Sequence, residues 1–149
     1  MQLPDIRSLV PHTGPMLLLD HIDAVGADGL TATVTIRSDS EFLDGESVGA
    51  WIGIEYMAQA IAAFAGYESI DTGGSVKPGF LLGTRRYSCS VPSFPVGCTL
   101  RVTVRRELQG DNGLASFTCE IAGDGIMAEA TVSVFQPDNV DDFLERRTE

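Results

Sequence analysis

A helix-length segment without a polar face constrains the fold of this chain more than any other feature. Residues 51–65 are apolar at almost every position. A helix that is hydrophobic all round has no side to turn to solvent, so other parts of the chain must cover it on several sides. The segment predicts a buried helix that begins near Trp51 and ends between residues 66 and 69.

Segments with the pattern of β-strands lie on both sides of this helix in the sequence. They are rich in β-branched residues or alternate apolar with polar residues, and turns containing glycine, proline, asparagine or aspartate separate most of them. The predicted strands are residues 16–25, 30–37, 80–91, 98–108, 114–122 and 126–135. The polar stretch 38–50 predicts a loop, and residues 1–9 a short helix. Together these patterns predict an α+β fold in which a curved antiparallel sheet wraps around one long apolar central helix.

Glu55 places a carboxylate inside the apolar helix. Burial disfavours the ionised form and raises the pKa of a carboxyl group, which allows it to exchange protons near neutral pH. Gln59 follows at i+4, so the two side chains share one face. Two interpretations stay open on this evidence: a reaction site, or a structural role in which Glu55 binds a backbone donor or an arginine in a dimer interface.

Length and composition set the broad class. The 149 residues favour one globular domain, residues 1–149, with a charged tail at 136–149. No stretch is long and apolar enough for a membrane span, and the first residues lack the order of a signal peptide, which predicts a cytoplasmic protein. Three cysteines without a CxxC pair and two histidines give no support to a disulfide framework or a metal site.

The charge of the chain is strongly acidic but unevenly distributed. A formal net charge of −11 argues against nucleic-acid binding. Five arginines nevertheless fall between residues 85 and 106, namely Arg85, Arg86, Arg101, Arg105 and Arg106. They predict either a local basic patch for an acidic partner or ordinary surface arginines on strands.

Three motifs in register resemble the β-hydroxyacyl-acyl-carrier-protein dehydratases, which have the hotdog fold. They are Leu9-Val-Pro-His-Thr-Gly-Pro-Met-Leu-Leu-Leu-Asp20, Gly53-Ile-Glu-Tyr-Met-Ala-Gln-Ala60 and Pro78-Gly-Phe-Leu-Leu-Gly-Thr-Arg-Arg-Tyr87. The resemblance covers most of the chain, and it is strongest to the divergent branch associated with aryl polyene-type pathways.

The resemblance implies a reaction and an assembly. In these dehydratases two subunits share a continuous sheet, and the acyl tunnel lies between the central helix of one subunit and the loop of the other. A histidine and a carboxylate divide the proton transfers that remove water from a 3-hydroxyacyl thioester, without metal or organic cofactor. Glu55 matches the carboxylate. The positions that the resemblance implies for substrate binding are Gln59, Gly79, Phe80, Arg85 and Arg86.

The histidine of the family is missing from its expected place. The loop motif reads Phe42-Leu-Asp-Gly-Glu-Ser-Val-Gly49, with Glu46 where the dehydratases carry histidine, and residues 38–40 supply none either. The two histidines lie earlier in the chain. The resemblance gives His12 a structural role, and His21 is expected at the surface. Asp44 and Glu46 are loop carboxylates, which are usually solvated and weak acids at neutral pH.

Two classes of function follow from this departure. The first is an enzyme, either a 3-hydroxyacyl thioester dehydratase or a thioesterase of the same fold. The second is a catalytically impaired acyl-binding or heterodimer partner subunit. The expected partners are an acyl carrier protein or a coenzyme A thioester, together with a second hotdog subunit in a homodimer or heterodimer. We predict that Arg85 and Arg86, together with Lys77, attract the acidic carrier or the phosphate of its pantetheine arm.

Overall fold

The computed structural model describes residues 3, 5–10, 14–71, 80–110 and 112–135, with only the backbone described at residues 71 and 80–82. The predicted tail 136–149 lies outside these residues, as do His12, Lys77 and Gly79.

One long helix and nine strands make up the described chain. Helix α1 spans Gly53–Asp71 and follows directly on a 3-10 turn at Ala50–Ile52. Two further 3-10 turns lie at Ile6–Ser8 and Gly14–Met16. The strands are β1 His21–Val25, β2 Gly29–Thr35, β3 Leu43–Asp44, β4 Ser47–Gly49, β5 Phe80–Cys89, β6 Ser93–Pro95, β7 Thr99–Gln109, β8 Leu114–Gly123 and β9 Ile126–Phe135.

Six of these strands form one antiparallel sheet in the order β1-β2-β7-β8-β9-β5. Strand β7 illustrates how the sequence builds its two faces. Leu100, Val102 and Val104 are fully buried, whereas Thr99, Arg101, Thr103 and Arg105 are exposed. This alternation is the predicted one. It gives the sheet an apolar inner face toward the helix and a polar outer face, and the α+β arrangement predicted from the sequence is confirmed.

Helix α1 packs into the inner face of this sheet. Met57, Ala60 and Phe64 of this helix are each at most 1 % exposed to solvent. Near its end, a Cβ at Gly66 would collide with the carbonyl oxygen of Leu9, so the backbone before β1 packs directly on the helix. Burial of such apolar surface is the main stabilising force of the fold. No helix in the described part of the chain is long and apolar enough to cross a membrane.

An ion pair fixes the carboxyl-terminal half of α1 to the sheet. Arg106 Nη1 of β7 donates to Glu68 Oε1 at 2.6 Å, and its guanidinium lies 5.2 Å from the centre of the Phe64 ring. The Arg106 side chain is only 16 % exposed and that of Glu68 is 39 % exposed, so the pair is partly shielded from screening by salt.

Several predicted boundaries differ from the structure for physical reasons. The helix continues to Asp71 because Gly66 serves close packing and does not terminate it. The first strand begins only at His21. The predicted loop 38–50 contains β3 and β4, which pair with each other and form a second small sheet through the pairing of β4 with β6. The helix predicted at 1–9 is, in its described part, the 3-10 turn Ile6–Ser8.

Candidate active site

Glu55 lies in the first turn of α1 and is half-buried. The Glu55 side chain is held by Gln59, whose Nε2 donates to Glu55 Oε1 at 3.2 Å. The predicted i, i+4 pair is thus formed, and it holds a carboxylate in the first turn of the helix.

Gln59 is fully buried and binds two backbone groups in addition to Glu55. Its Oε1 accepts from the N–H of Leu18 at 2.8 Å, and its Nε2 donates to the carbonyl oxygen of Met16 at 2.8 Å. These bonds join α1 to the segment before β1. They also explain why the first strand starts late, since residues 16–18 bind a side chain of the helix before the chain enters the sheet.

These bonds give Gln59 a structural role. Because the buried Gln59 side chain bonds two backbone groups of the segment before β1, the fold alone accounts for its presence. Glu55 therefore carries the functional argument.

Tyr87 is a residue at this site that the sequence analysis missed. Its hydroxyl donates to the carbonyl oxygen of Ala50, in the 3-10 turn that leads into α1. Burial raises the pKa of Tyr87, so this hydroxyl stays protonated at neutral pH. Tyr87 ends the third motif shared with the dehydratases, and this position was the only signal available in the sequence.

The histidine and loop carboxylates considered from the sequence lie away from Glu55 or in solvent. His21 is exposed on β1, where its Nε2 is 3.1 Å from Asp23 Oδ1, and its neighbour Ile22 takes the inward position. Asp44 and Glu46 are exposed. His21 therefore faces away from the helix, as the sequence predicted.

The two predicted substrate-binding arginines, Arg85 and Arg86, differ in their surroundings and in their backbone conformation. Arg85 is exposed on the outer face of the sheet and lines a groove of about 630 Å³ with Leu108, Ser116 and Ser133. Arg86 is exposed and has φ +57°, a left-handed conformation that is uncommon for a residue with a side chain. The groove lies on the opposite face of the sheet from α1. The structure does not describe the side chain of Phe80.

An exposed aromatic pair flanks the start of α1. The rings of Phe42 and Trp51 meet edge to face with centroids 6.4 Å apart. Trp51 is 68 % exposed and Phe42 is 47 % exposed.

The cysteines form no disulfide among the described residues. All three are free thiols, and burial raises the pKa of Cys119 to about 12. Within the described ranges, no three potential metal ligands come together.

Solved structures of other proteins resemble this one. The dehydratase heterocomplex ApeI:P from Xenorhabdus doucetiae includes a chain with 27% identity and a TM-score of 0.91, and the match covers 99% of this chain and 100% of that one. A hypothetical thioesterase with coenzyme A from Streptococcus pneumoniae TIGR4 matches with 13% identity and a TM-score of 0.57, over 78% of this chain and 84% of that one. The PaaI protein from the E. coli phenylacetic acid degradation operon matches with 15% identity and a TM-score of 0.59, over 76% and 80%. No curated protein sequence matches the chain.

An antiparallel sheet around one central helix, shared with these structures, defines a protein of the hotdog fold, as predicted. The likeness is closer than the fold alone, because the family model described as ApeP dehydratase matches residues 4–145. The chain belongs to the ApeP-like dehydratase family. This result confirms the resemblance found in the three sequence motifs and the dehydratase-like character that it implied.

Proposed function

We propose that this chain is one subunit of a two-chain 3-hydroxyacyl thioester dehydratase. In this proposal Glu55 transfers one proton and a histidine of a second hotdog subunit transfers the other. The observation that carries the proposal is the Glu55 carboxylate, which Gln59 holds at the start of a buried helix. The loop of the same chain has Glu46 where the β-hydroxyacyl-acyl-carrier-protein dehydratases carry histidine. The heterocomplex described for the relative from Xenorhabdus doucetiae supports a second, different subunit.

The chemistry explains why the two groups belong together. Dehydration breaks the C2–H bond and the C3–O bond, so a base must remove the proton and an acid must protonate the departing hydroxyl. A backbone N–H that binds the thioester carbonyl stabilises the negative charge that develops on it. The base acts at C2 and the acid acts at the C3 oxygen, so a second group beside Glu55 lets two side chains divide the proton transfers. The loop of a partner supplies it in the arrangement that the resemblance implies.

The substrate of this proposal is a 3-hydroxyacyl chain on an acyl carrier protein or on coenzyme A, in fatty acid or polyketide-type biosynthesis. Gln59 acts through Glu55, while Gly79, Phe80, Arg85 and Arg86 contribute to substrate binding. The whole chain, residues 1–149, forms one hotdog domain in a cytoplasmic protein. The family membership supports the substrate class, and the sequence supports the other assignments.

The alternative is a catalytically impaired subunit that binds an acyl chain or stabilises its partner. The missing loop histidine favours it, because the exposed loop carboxylates Asp44 and Glu46 are usually ionised and therefore weak acids at neutral pH. An acyl thioesterase of the same fold is a further alternative within the enzyme class.

Reconstitution tests the proposal against the alternatives. The purified protein is incubated with a 3-hydroxyacyl thioester, alone and with a histidine-bearing hotdog homologue whose own helix carboxylate has been removed. We expect the enoyl thioester only when both subunits are present. Product from this chain alone that disappears in His12→Asn would assign the second proton transfer to its own histidine and contradict the two-chain site. Free thiol without enoyl product would indicate a thioesterase.

Reversal of the charges at Arg85 and Arg86 tests carrier recognition. We expect the double variant Arg85→Glu and Arg86→Glu to bind an acidic acyl carrier protein at least about tenfold more weakly at low salt, because opposite charges that steer and hold the partner are lost. The difference should shrink at high salt, where exposed charges are screened. Affinity is measured by titration calorimetry.

The matched control for this prediction changes the same charge on a neighbouring strand. Arg101→Glu with Arg105→Glu alters the net charge equally on the outer face of β7. Equal weakening by both double variants would mean that overall charge, and not a docking site on β5, governs carrier binding.

A further inference from the structure

A bulge in β5 turns Tyr87 toward the start of α1. The pairing of β5 with β9 shifts register between Arg85 and Ser88, and Arg86 takes its left-handed conformation at this point. Arg85 and Ser88 lie opposite Thr131 and Glu129 on the polar outer side of β9, whereas Tyr87 is half-buried and reaches Ala50. Bulges re-aim side chains in this way and are frequent beside active sites.

The hydroxyl of Tyr87 occupies the space that a side chain at residue 53 would need. A Cβ at Gly53 would collide with Tyr87 Oη and would lie 3.1 Å from Ile121 Cδ1 and 3.3 Å from Tyr87 Cζ. Gly53 is the first residue of α1, and its N–H binds the carbonyl oxygens of Ala50 and Trp51. The absence of a side chain at Gly53 therefore lets the tyrosine bind the turn that begins the helix.

The same 3-10 turn leads directly into the first turn of α1, which carries the Glu55 side chain. Ala50 is anchored on both of its backbone groups, since its N–H donates to Pro92 and its carbonyl accepts from Tyr87. Glu55 lies two residues beyond Gly53, within the first turn. Loss of the Tyr87 hydroxyl would remove the hydrogen bond to the Ala50 carbonyl and leave the bond from the Ala50 N–H to Pro92 in place.

We propose that Tyr87 is a positioning residue whose hydroxyl fixes the first turn of α1 and thereby places Glu55 for proton transfer. This inference rests on the proposed function of Glu55. The hydroxyl proton is engaged by Ala50, and burial keeps it on the oxygen at neutral pH, so Tyr87 acts through geometry and does not itself exchange protons with substrate.

The first test removes only the hydroxyl. In the two-subunit complex, Tyr87→Phe should lower kcat by about ten- to a hundredfold, because small misplacements of catalytic groups have effects of this size, and KM should stay within about twofold. Amide hydrogen exchange at Gly53 and Ile54 should become faster. The matched control is Tyr67→Phe, which removes a hydroxyl from another half-buried tyrosine that packs against the core and should change neither quantity. An unchanged kcat, or a change in KM alone, would overturn the proposal.

The second test uses the collision between residues 53 and 87. Gly53→Ala alone should lower the midpoint of thermal unfolding because Tyr87 must move, and it should accelerate hydrogen exchange in the first turn. Adding Tyr87→Phe removes the colliding oxygen, so the double variant should unfold at a higher temperature than Gly53→Ala alone. Additive effects of the two substitutions would show that they do not share this contact.

The failure of this inference can be told apart from failure of the proposed function. If the wild-type complex does not dehydrate any 3-hydroxyacyl thioester, the proposed function is wrong. The carboxyl carbon resonance of Glu55, assigned by NMR through the Glu55→Gln variant, then decides the inference without any turnover. A resonance that shifts in Tyr87→Phe and not in Tyr67→Phe supports the positioning role, whereas an unchanged resonance rejects it.

Discussion

Replacing Glu55 by glutamine is expected to reduce the rate of dehydration in the two-subunit complex by about a hundredfold to ten-thousandfold, the range typical of a lost general acid or base. Glutamine has nearly the same shape as glutamate. Its side-chain oxygen can still accept the hydrogen bond from Gln59 Nε2, but it cannot carry a proton between substrate atoms. The rate is measured as formation of the enoyl thioester at saturating substrate.

Glu68→Gln is the control for the Glu55 prediction. Glu68 is the other carboxylate of α1 for which a partner is known, and it binds the shielded side chain of Arg106 at the far end of the helix. We expect Glu68→Gln to lower the free energy of unfolding with little change in the rate of dehydration. Glu55→Gln should lower the rate with little change in the free energy of unfolding. A Glu55→Gln complex with wild-type rate would reject the catalytic role of Glu55.

Replacing Gln59 by leucine is expected to lower the free energy of unfolding by about 1–3 kcal/mol, because two hydrogen bonds to partly buried backbone groups are lost and each contributes roughly 0.5–1.5 kcal/mol. The two groups are the N–H of Leu18 and the carbonyl of Met16, and leucine fills a similar volume without reaching either. The variant should also lose activity, since Glu55 loses the amide that holds it. Urea unfolding measures the change, with the slope of the transition as a check on two-state behaviour.

Met57→Leu separates lost hydrogen bonds from changed packing. Met57 is fully buried on the same helix, and a swap of similar volume in a core usually costs less than about 1.5 kcal/mol. If Gln59→Leu costs no more than Met57→Leu, the hydrogen bonds of Gln59 contribute little to stability and the segment before β1 is held by other contacts.

The parts of the fold that could be predicted are those with a local period. Alternation of side chains identifies β7 and its neighbours, and the unbroken apolar character of residues 51–65 identifies a helix that must be wrapped. The pairing of Glu55 with Gln59 also follows from helical spacing alone. The partners of Gln59 could not be predicted, because Met16 and Leu18 contribute backbone groups, which every residue possesses and which leave no mark in the sequence.

The two arginines of β5 show why strand patterns fail at irregularities. Neighbours in a regular strand face opposite sides, and the register shift after Arg85 breaks this rule. Arg86 takes a backbone conformation that the sequence gives no reason to expect, and Tyr87 turns inward as a result. A motif shared with a known family marked this segment as important, but only the structure connects it to the helix.

The position of β5 at the end of the six-stranded sheet limits which chains can assemble with this one. An edge strand exposes backbone groups to which another strand can add. The register shift between Arg85 and Ser88 interrupts the regular spacing of those groups, so an added strand cannot slide freely along β5 and keep its hydrogen bonds. We therefore expect a strand that adds to β5 to pair at one offset, with its ladder of hydrogen bonds interrupted opposite the bulge.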